Sequence, residues 1–167
     1  VKDDAVHLEP FLGLQWAPNC RLFSITYLQF DLDAGGDRVF VTPITAGQAF
    51  ELGRIHEPNM LYVDWSAGYW LFHNCPCDCD CCSRRGLLTG VAPVIELHYA
   101  TAIQNARSVE TVETARERID TLNLTTGACF ELGPCSTLAV AVAVPLRDQP
   151  RDKEFSTELL VQFNRRF

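Results

Sequence analysis

The sequence predicts an all-β protein: a two-sheet sandwich, jelly-roll or immunoglobulin-like, with at most one short helix. Short runs of alternating apolar and polar residues recur along the chain, which is the period of a strand with two unlike faces. Turn residues separate these runs, at the spacing of seven to nine short strands. The 167 residues are 47% hydrophobic and 21% charged, an ordinary balance for a folded protein of one domain.

The chain reads as an N-terminal extension, residues 1–19, followed by a single domain over 20–167. The extension starts polar and then alternates at Leu12, Leu14 and Trp16, a strand with one face to bury. Because it is terminal, that face is free to enter a neighbouring subunit's sheet. Residues 21–33 make a second strand, with a shift of apolar phase at Tyr27 and Leu28 that suits a bulge or a strand covered on both faces. Asp31 to Asp37 reads as a Gly-Gly hairpin turn; it opens like a calcium loop but has Thr42 where the bidentate carboxylate belongs. Residues 38–44 are the return strand and 48–52 a short further one.

Residues 60–65 and 68–72 read as another hairpin across Ser66-Ala67-Gly68, with Trp65, Tyr69, Trp70 and Phe72 as core aromatics. Two partial motifs nearby fail. His56-Glu57 lacks the second histidine of a zinc-protease helix, Met60 standing in its place, and Asp64-Trp65-Ser66-Ala67-Gly68 lacks the first glycine of a hydrolase elbow. Residues 91–100 alternate as a strand that leaves His98 exposed. Residues 108–122 are the one helical candidate, with Val109, Val112, Ala115, Ile119 and Leu122 near one face. Gly127 to Pro134 reads as a turn. Residues 136–144 make the clearest strand, Leu138, Val140, Val142 and Val144 on one face and three alanines on the other, and residues 155–163 make the last.

Five of the eight cysteines lie between His73 and Cys82, at Cys75, Cys77, Cys79, Cys81 and Cys82; Cys20, Cys129 and Cys135 stand apart. If each outside cysteine paired with the cluster, two cluster thiols would still need another partner. Cysteines two apart on a strand have Cα atoms about 6.6 to 7 Å apart, at or beyond the limit of about 6.8 Å for a disulfide, so bonds outward to other segments or subunits are favoured over bonds between neighbours. An even count of cysteines favours an oxidising compartment. The run of Cys-x-Cys and Cys-Cys over ten residues resembles a fragment of a metallothionein, and metal binding therefore competes with disulfides. Structural zinc sites more often use two separated Cys-x(2–4)-Cys pairs.

A net charge of -7 with no basic run argues against nucleic acid as the partner. No apolar run reaches the roughly 20 residues that span a bilayer as a helix, and no insertion into a membrane is expected. Asn123-Leu124-Thr125 is a glycosylation sequon that would mark exposed chain in a secreted protein. The four histidines sit in no catalytic motif, and neither enzyme activity nor a cofactor is expected. The expectation is a secreted, extracellular structural subunit that self-associates into an oligomer or a polymer such as a filament, joined by its N-terminal strand and by disulfides. Two alternatives stand beside it. One is a monomeric binding module, lectin-like or receptor-like, that uses the cysteine-rich loop 73–86; the other is a metal-binding protein.

Overall fold

The computed structural model describes residues 5–42, 47, 49–73, 86–104, 120–133, 135–148 and 155–165. Among these residues there are eleven strands and no helix. They are β1 (His7–Leu8), β2 (Phe11–Trp16), β3 (Leu22–Asp33), β4 (Asp37–Val41), β5 (Phe50–Ile55), β6 (Asn59–Tyr69), β7 (Phe72–His73), β8 (Leu88–Gln104), β9 (Asp120–Leu132), β10 (Ser136–Pro145) and β11 (Glu158–Arg165). The protein is all-β and its sheets are antiparallel. Nine strands form one sheet in the order β1-β3-β6-β8-β9-β10-β11, with β2 beside β3 and β7 beside β8, while β4 and β5 form a separate pair. Two sheets of comparable size, as expected for a sandwich, are not what this pairing gives.

The difference has a local cause. Gly68 and Gly127 read as turn residues in the sequence, yet each lies inside a long strand. A Cβ on Gly68 would stand 2.2 Å from the ring of Phe23, and one on Gly127 would stand 2.3 Å from the Val140 carbonyl oxygen. Glycine is there because a neighbour comes too close for any side chain. The expected hairpin at 66–68 is therefore one continuous strand of 11 residues. The expected turn from Gly127 is strand as far as Leu132, and the chain reverses at Gly133, whose φ of 64° is in the left-handed region. Fewer turns and longer strands, 17 residues in β8 and 13 in β9, put most of the chain into one sheet.

Most of the helical candidate at 108–122 lies outside the described residues, and its last three positions open β9. The turn after Asp33 also differs from expectation. It joins β3 to β4, but β4 then pairs with β5 and not with β3, so the Gly-Gly turn is no hairpin. A bulge between Val39 and Phe40 in that pair falls opposite Gly53, whose φ is 151°.

The chain divides into two compact units, Val1–Leu12, Leu28–Tyr62 and Ala100–Asp120 in the first, and Gly13–Tyr27, Val63–Tyr99 and Thr121–Phe167 in the second. In the first, β1 pairs His7 with Asp33 and Leu8 with Leu32, and the Phe30 N–H donates to the Pro10 carbonyl at 3.0 Å. The Asp33 carboxylate anchors the turn: Oδ1 accepts from the Gly35 and Gly36 amides, and Oδ2 accepts from the Glu57 amide and lies 3.3 Å from His56 Nδ1. Burial pushes the Asp33 pKa up, but those three amides and His56 outweigh it and hold it below the usual carboxylate value. Val39, Met60 and Ala102 are the buried apolar residues of this unit among those described.

In the second unit Asn19 Oδ1 accepts from the amides of Arg21 and Leu22, which shapes the turn between β2 and β3. β10 is flanked by β9 from Ser136 to Pro145 and by β11 from Ser136 to Ala143. It is thus central among the strands of this unit, although Val142 on it is exposed. Side chains of β3, β6, β8, β9, β10 and β11 line a single cavity of about 310 Å3, so the sheet in this unit is curled.

Gly127→Val should destabilise the protein by about 1 to 3 kcal/mol, the usual cost of forcing a side chain into filled space, because β10 backbone occupies the volume its Cβ needs. Chemical denaturation measures this; a loss below about 0.5 kcal/mol, the ordinary range for a surface change, would mean that β9 and β10 are not so closely paired.

Candidate assembly surface

The alternation of β10 is present, but its two faces differ little in cover: Leu138, Val140 and Val144 are half-buried, as are Thr137, Ala139 and Ala141, and the faces part only at 142 and 143. Ala143 is 5% exposed and Val142 38%. Thr137, Ala139 and Ala141 point to the cavity, together with their partners Asn164, Gln162 and Leu160 on β11. On the opposite face Leu138, Val140 and Val142 stand across from Phe163, Val161 and Leu159. The three β11 residues of that face are 60%, 63% and 69% exposed. Alternation shows that a strand has two unlike faces, but it does not say which one its own chain covers.

The N-terminal strand shows the same feature more strongly. Leu12, Leu14 and Trp16 were expected to need burial; β2 pairs with β3 of its own sheet, yet all six of its residues stay exposed. Leu14 is 66% and Trp16 56% accessible. The aromatics Trp65, Tyr69 and Phe72, expected in the core, are also among the exposed residues. Soluble monomers rarely leave large apolar side chains exposed in contiguous strips, and such strips ordinarily mark contact surfaces.

Trp70 is an exception among the aromatics. Its ring stacks on His73 with centroids 4.6 Å apart and tilts against Phe23 at 5.9 Å. His73 Nε2 lies 3.0 Å from Glu131 Oε2. The fully buried Thr89 hydroxyl donates toward the carbonyls of Glu131 and Gly133, at 3.3 and 3.1 Å. Gly90 leaves room for this cluster, since a Cβ there would approach Trp70, Glu131 and His73 within about 3 Å. The cluster fixes the point where the chain enters the cysteine-rich stretch.

The cysteines are divided by the structure. Cys75, Cys77, Cys79, Cys81 and Cys82 lie outside the described residues, as does the rest of the proposed recognition loop except its ends. Cys20 is disulfide-bonded. Cys129 and Cys135, expected to bridge each other or the cluster, are free thiols. Burial pushes the Cys129 thiol pKa up and the Glu131 charge adds to it, so this thiol stays protonated and unreactive near neutral pH. Asn123 is a half-buried residue within β9, opposite Pro145, and the Thr125 of its sequon is buried. The sequon therefore marks a strand and not the exposed chain that was expected.

His98 Nδ1 donates to Asp64 Oδ1 at 2.8 Å, and its Nε2 stands 3.4 Å from Glu96. His98 lies on a strand as expected, but it is half-buried and tied to Asp64 across the strands instead of standing exposed. Among the described residues, no group of three or more His, Cys, Asp or Glu side chains is placed to hold a metal, and no helix is long and apolar enough to cross a membrane. No family model, curated protein or solved structure matches the chain.

His7 ties β1 to β3 by donating from Nδ1 to Asp31 Oδ1 at 2.8 Å. That hydrogen bond raises the His7 pKa above its ordinary value of 6.5; a slight loss of hydration opposes it, and the charges of Asp31, Glu57 and Asp33 add to the rise. A raised folded-state pKa stabilises fully below the unfolded value and stops doing so as pH climbs through the folded value. The melting temperature of the wild type should therefore exceed that of His7→Asn most clearly below pH 6 and converge with it by about pH 9. A difference independent of pH would show that the ion pair does not hold β1.

Proposed function

We propose that this protein is a structural subunit that self-associates, an extracellular assembly such as a filament being its setting, with its strands and its disulfides as connectors. The observation that carries the reading is the exposure of apolar side chains on both outermost elements of the sheet, β2 and β11. Few large side chains are buried within the chain among the described residues: the buried apolar ones are Val39, Met60, Ala92, Ala102 and Ala143. At roughly 25 cal/mol per Å2, unburied strips of Leu, Val, Phe and Trp leave stabilisation available to a partner copy. The Cys20 disulfide supports an oxidising, secreted setting. Its partner is not Cys129 or Cys135.

The two-layered arrangement of a sandwich belongs to this proposal for the second unit, its layers being opposite walls of one curled sheet. Support comes from Phe23 and Ile25 of β3 and Leu160 of β11 lining the same cavity. The rival reading, a monomeric binding module using loop 73–86, predicts a protein that stays single at any concentration.

Mass under native, then denaturing, then reducing conditions separates these readings. A subunit of this kind runs as a multiple of 18.7 kDa in native solution. Any multiple that survives denaturant should fall to the single chain when reductant is added. A single chain under native conditions at all concentrations contradicts the proposal, and stoichiometric zinc released by denaturation would favour the metal-binding alternative.

A further inference from the structure

We propose that β11 is a self-pairing edge: two copies of this chain join their β11 strands antiparallel about a two-fold axis at Val161. This rests on the reading of the chain as a self-associating subunit and specifies the contact. Among the described residues β11 ends the strand order, bonded to β10 on one side only. All eight of its residues are exposed, with the sequence Glu-Leu-Leu-Val-Gln-Phe-Asn-Arg. An edge strand that must stay unpaired is usually protected by proline, an inward charge or a bulge. β11 has none of these between its end residues, whereas the opposite edge is broken at Pro10 between β1 and β2.

Strand direction selects the partner. Neighbours in the sheet alternate in direction, which makes β2 and β11 run the same way. Extending the sheet head to tail, with the same face continued, would place β11 parallel to the next copy's β2. A half-turn in the plane of the sheet instead brings β11 against β11 of a second copy, antiparallel like every other pair and with the face continued. Charge agrees with that choice. In this register Glu158 stands opposite Asn164 and no like charges meet, while a parallel pairing of the same strand in register would set Glu158 beside Glu158 and Arg165 beside Arg165.

Register follows from the pleat, because residues directly opposite in an antiparallel pair share a face. With Val161 opposite its own copy, Leu159 stands opposite the second Phe163, and six apolar side chains form one stripe on the outer face. The paired edge, residues 158–164 of each copy, runs about 24 Å, seven residues at roughly 3.4 Å each.

The test uses the full chain carrying Val161→Cys, oxidised in native solution and digested with trypsin. The segment 154–165, between Lys153 and Arg165, has no native cysteine, so a 161–161 disulfide is a dimer of one identifiable peptide. Opposed Cα atoms about 4.5 to 5.5 Å apart are within disulfide reach. Leu159→Cys is the control, since its two copies would lie more than 12 Å apart along the strands, about four residues of rise. The result expected is efficient crosslinking at 161, little at 159, and at least tenfold weaker association for Val161→Lys, which sets two ammonium groups together at the axis. Val161 is 63% exposed in the single chain, and the melting curve of the lysine variant reports that the subunit still folds. An assembling wild type in which position 161 fails to crosslink and Val161→Lys leaves association unchanged overturns the β11 contact alone. A wild type that remains monomeric at all concentrations removes both this contact and the assembly reading beneath it.

Discussion

The covering of apolar side chains is the constraint on which the rest of the structure depends. A strand offers alternate residues to two faces, and a sheet is stable when at least one face is shielded from water. In the second unit the inner face of β10 and β11 carries Thr137, Ala139, Ala141, Gln162 and Asn164 around a cavity, with Leu160 as its one large apolar group on these two strands. The bulky groups Leu138, Val140, Val142, Leu159, Val161 and Phe163 occupy the outer face. Apolar side chains left as exposed as Leu159, Val161 and Phe163 ordinarily mark a contact surface. The exposed apolar β2 and the unpaired edge of β11 follow the same pattern.

Polar anchoring is concentrated where the chain turns or changes course. Asp33 gathers three backbone amides and His56 at the end of β3, so that β4 leaves toward β5 instead of folding back. Asn19 does the same between β2 and β3 with two amides. At the mouth of the cysteine-rich stretch, Trp70, His73, Glu131 and Thr89 form a compact cluster. At Asp33 and Asn19 a side-chain oxygen takes up backbone amides that the turn leaves without a strand partner, and Thr89 does the same for two carbonyls. Together they hold the strand ends.

Much of the strand content was legible in the sequence because period-two alternation is a local signal. β10 was predicted over 136–144 and spans Ser136–Pro145, and the end of the chain was recognised as a strand. Strand continuity was less legible. Gly68 and Gly127 have the composition of turns, and only the approach of Phe23 and of the Val140 carbonyl shows why glycine is required. Reading them as turns divided long strands into short ones and suggested a sandwich of two comparable sheets. The contact surface was half legible. Leu12, Leu14 and Trp16 were singled out, but the exposed face of β11 was missed, because the pattern Leu159, Val161, Phe163 is the same whether the covering partner is in the chain or outside it.

Hydrogen exchange followed against protein concentration tests the central claim most directly, that this chain leaves apolar strands for another copy to cover. The account predicts that the alternate amides of residues 158–165 that point away from β10 are protected in concentrated solution and lose protection on dilution, while those in the middle of β9, flanked within its own sheet, stay protected throughout. Equal protection of β11 at all concentrations, in a protein of single-chain mass, would contradict it.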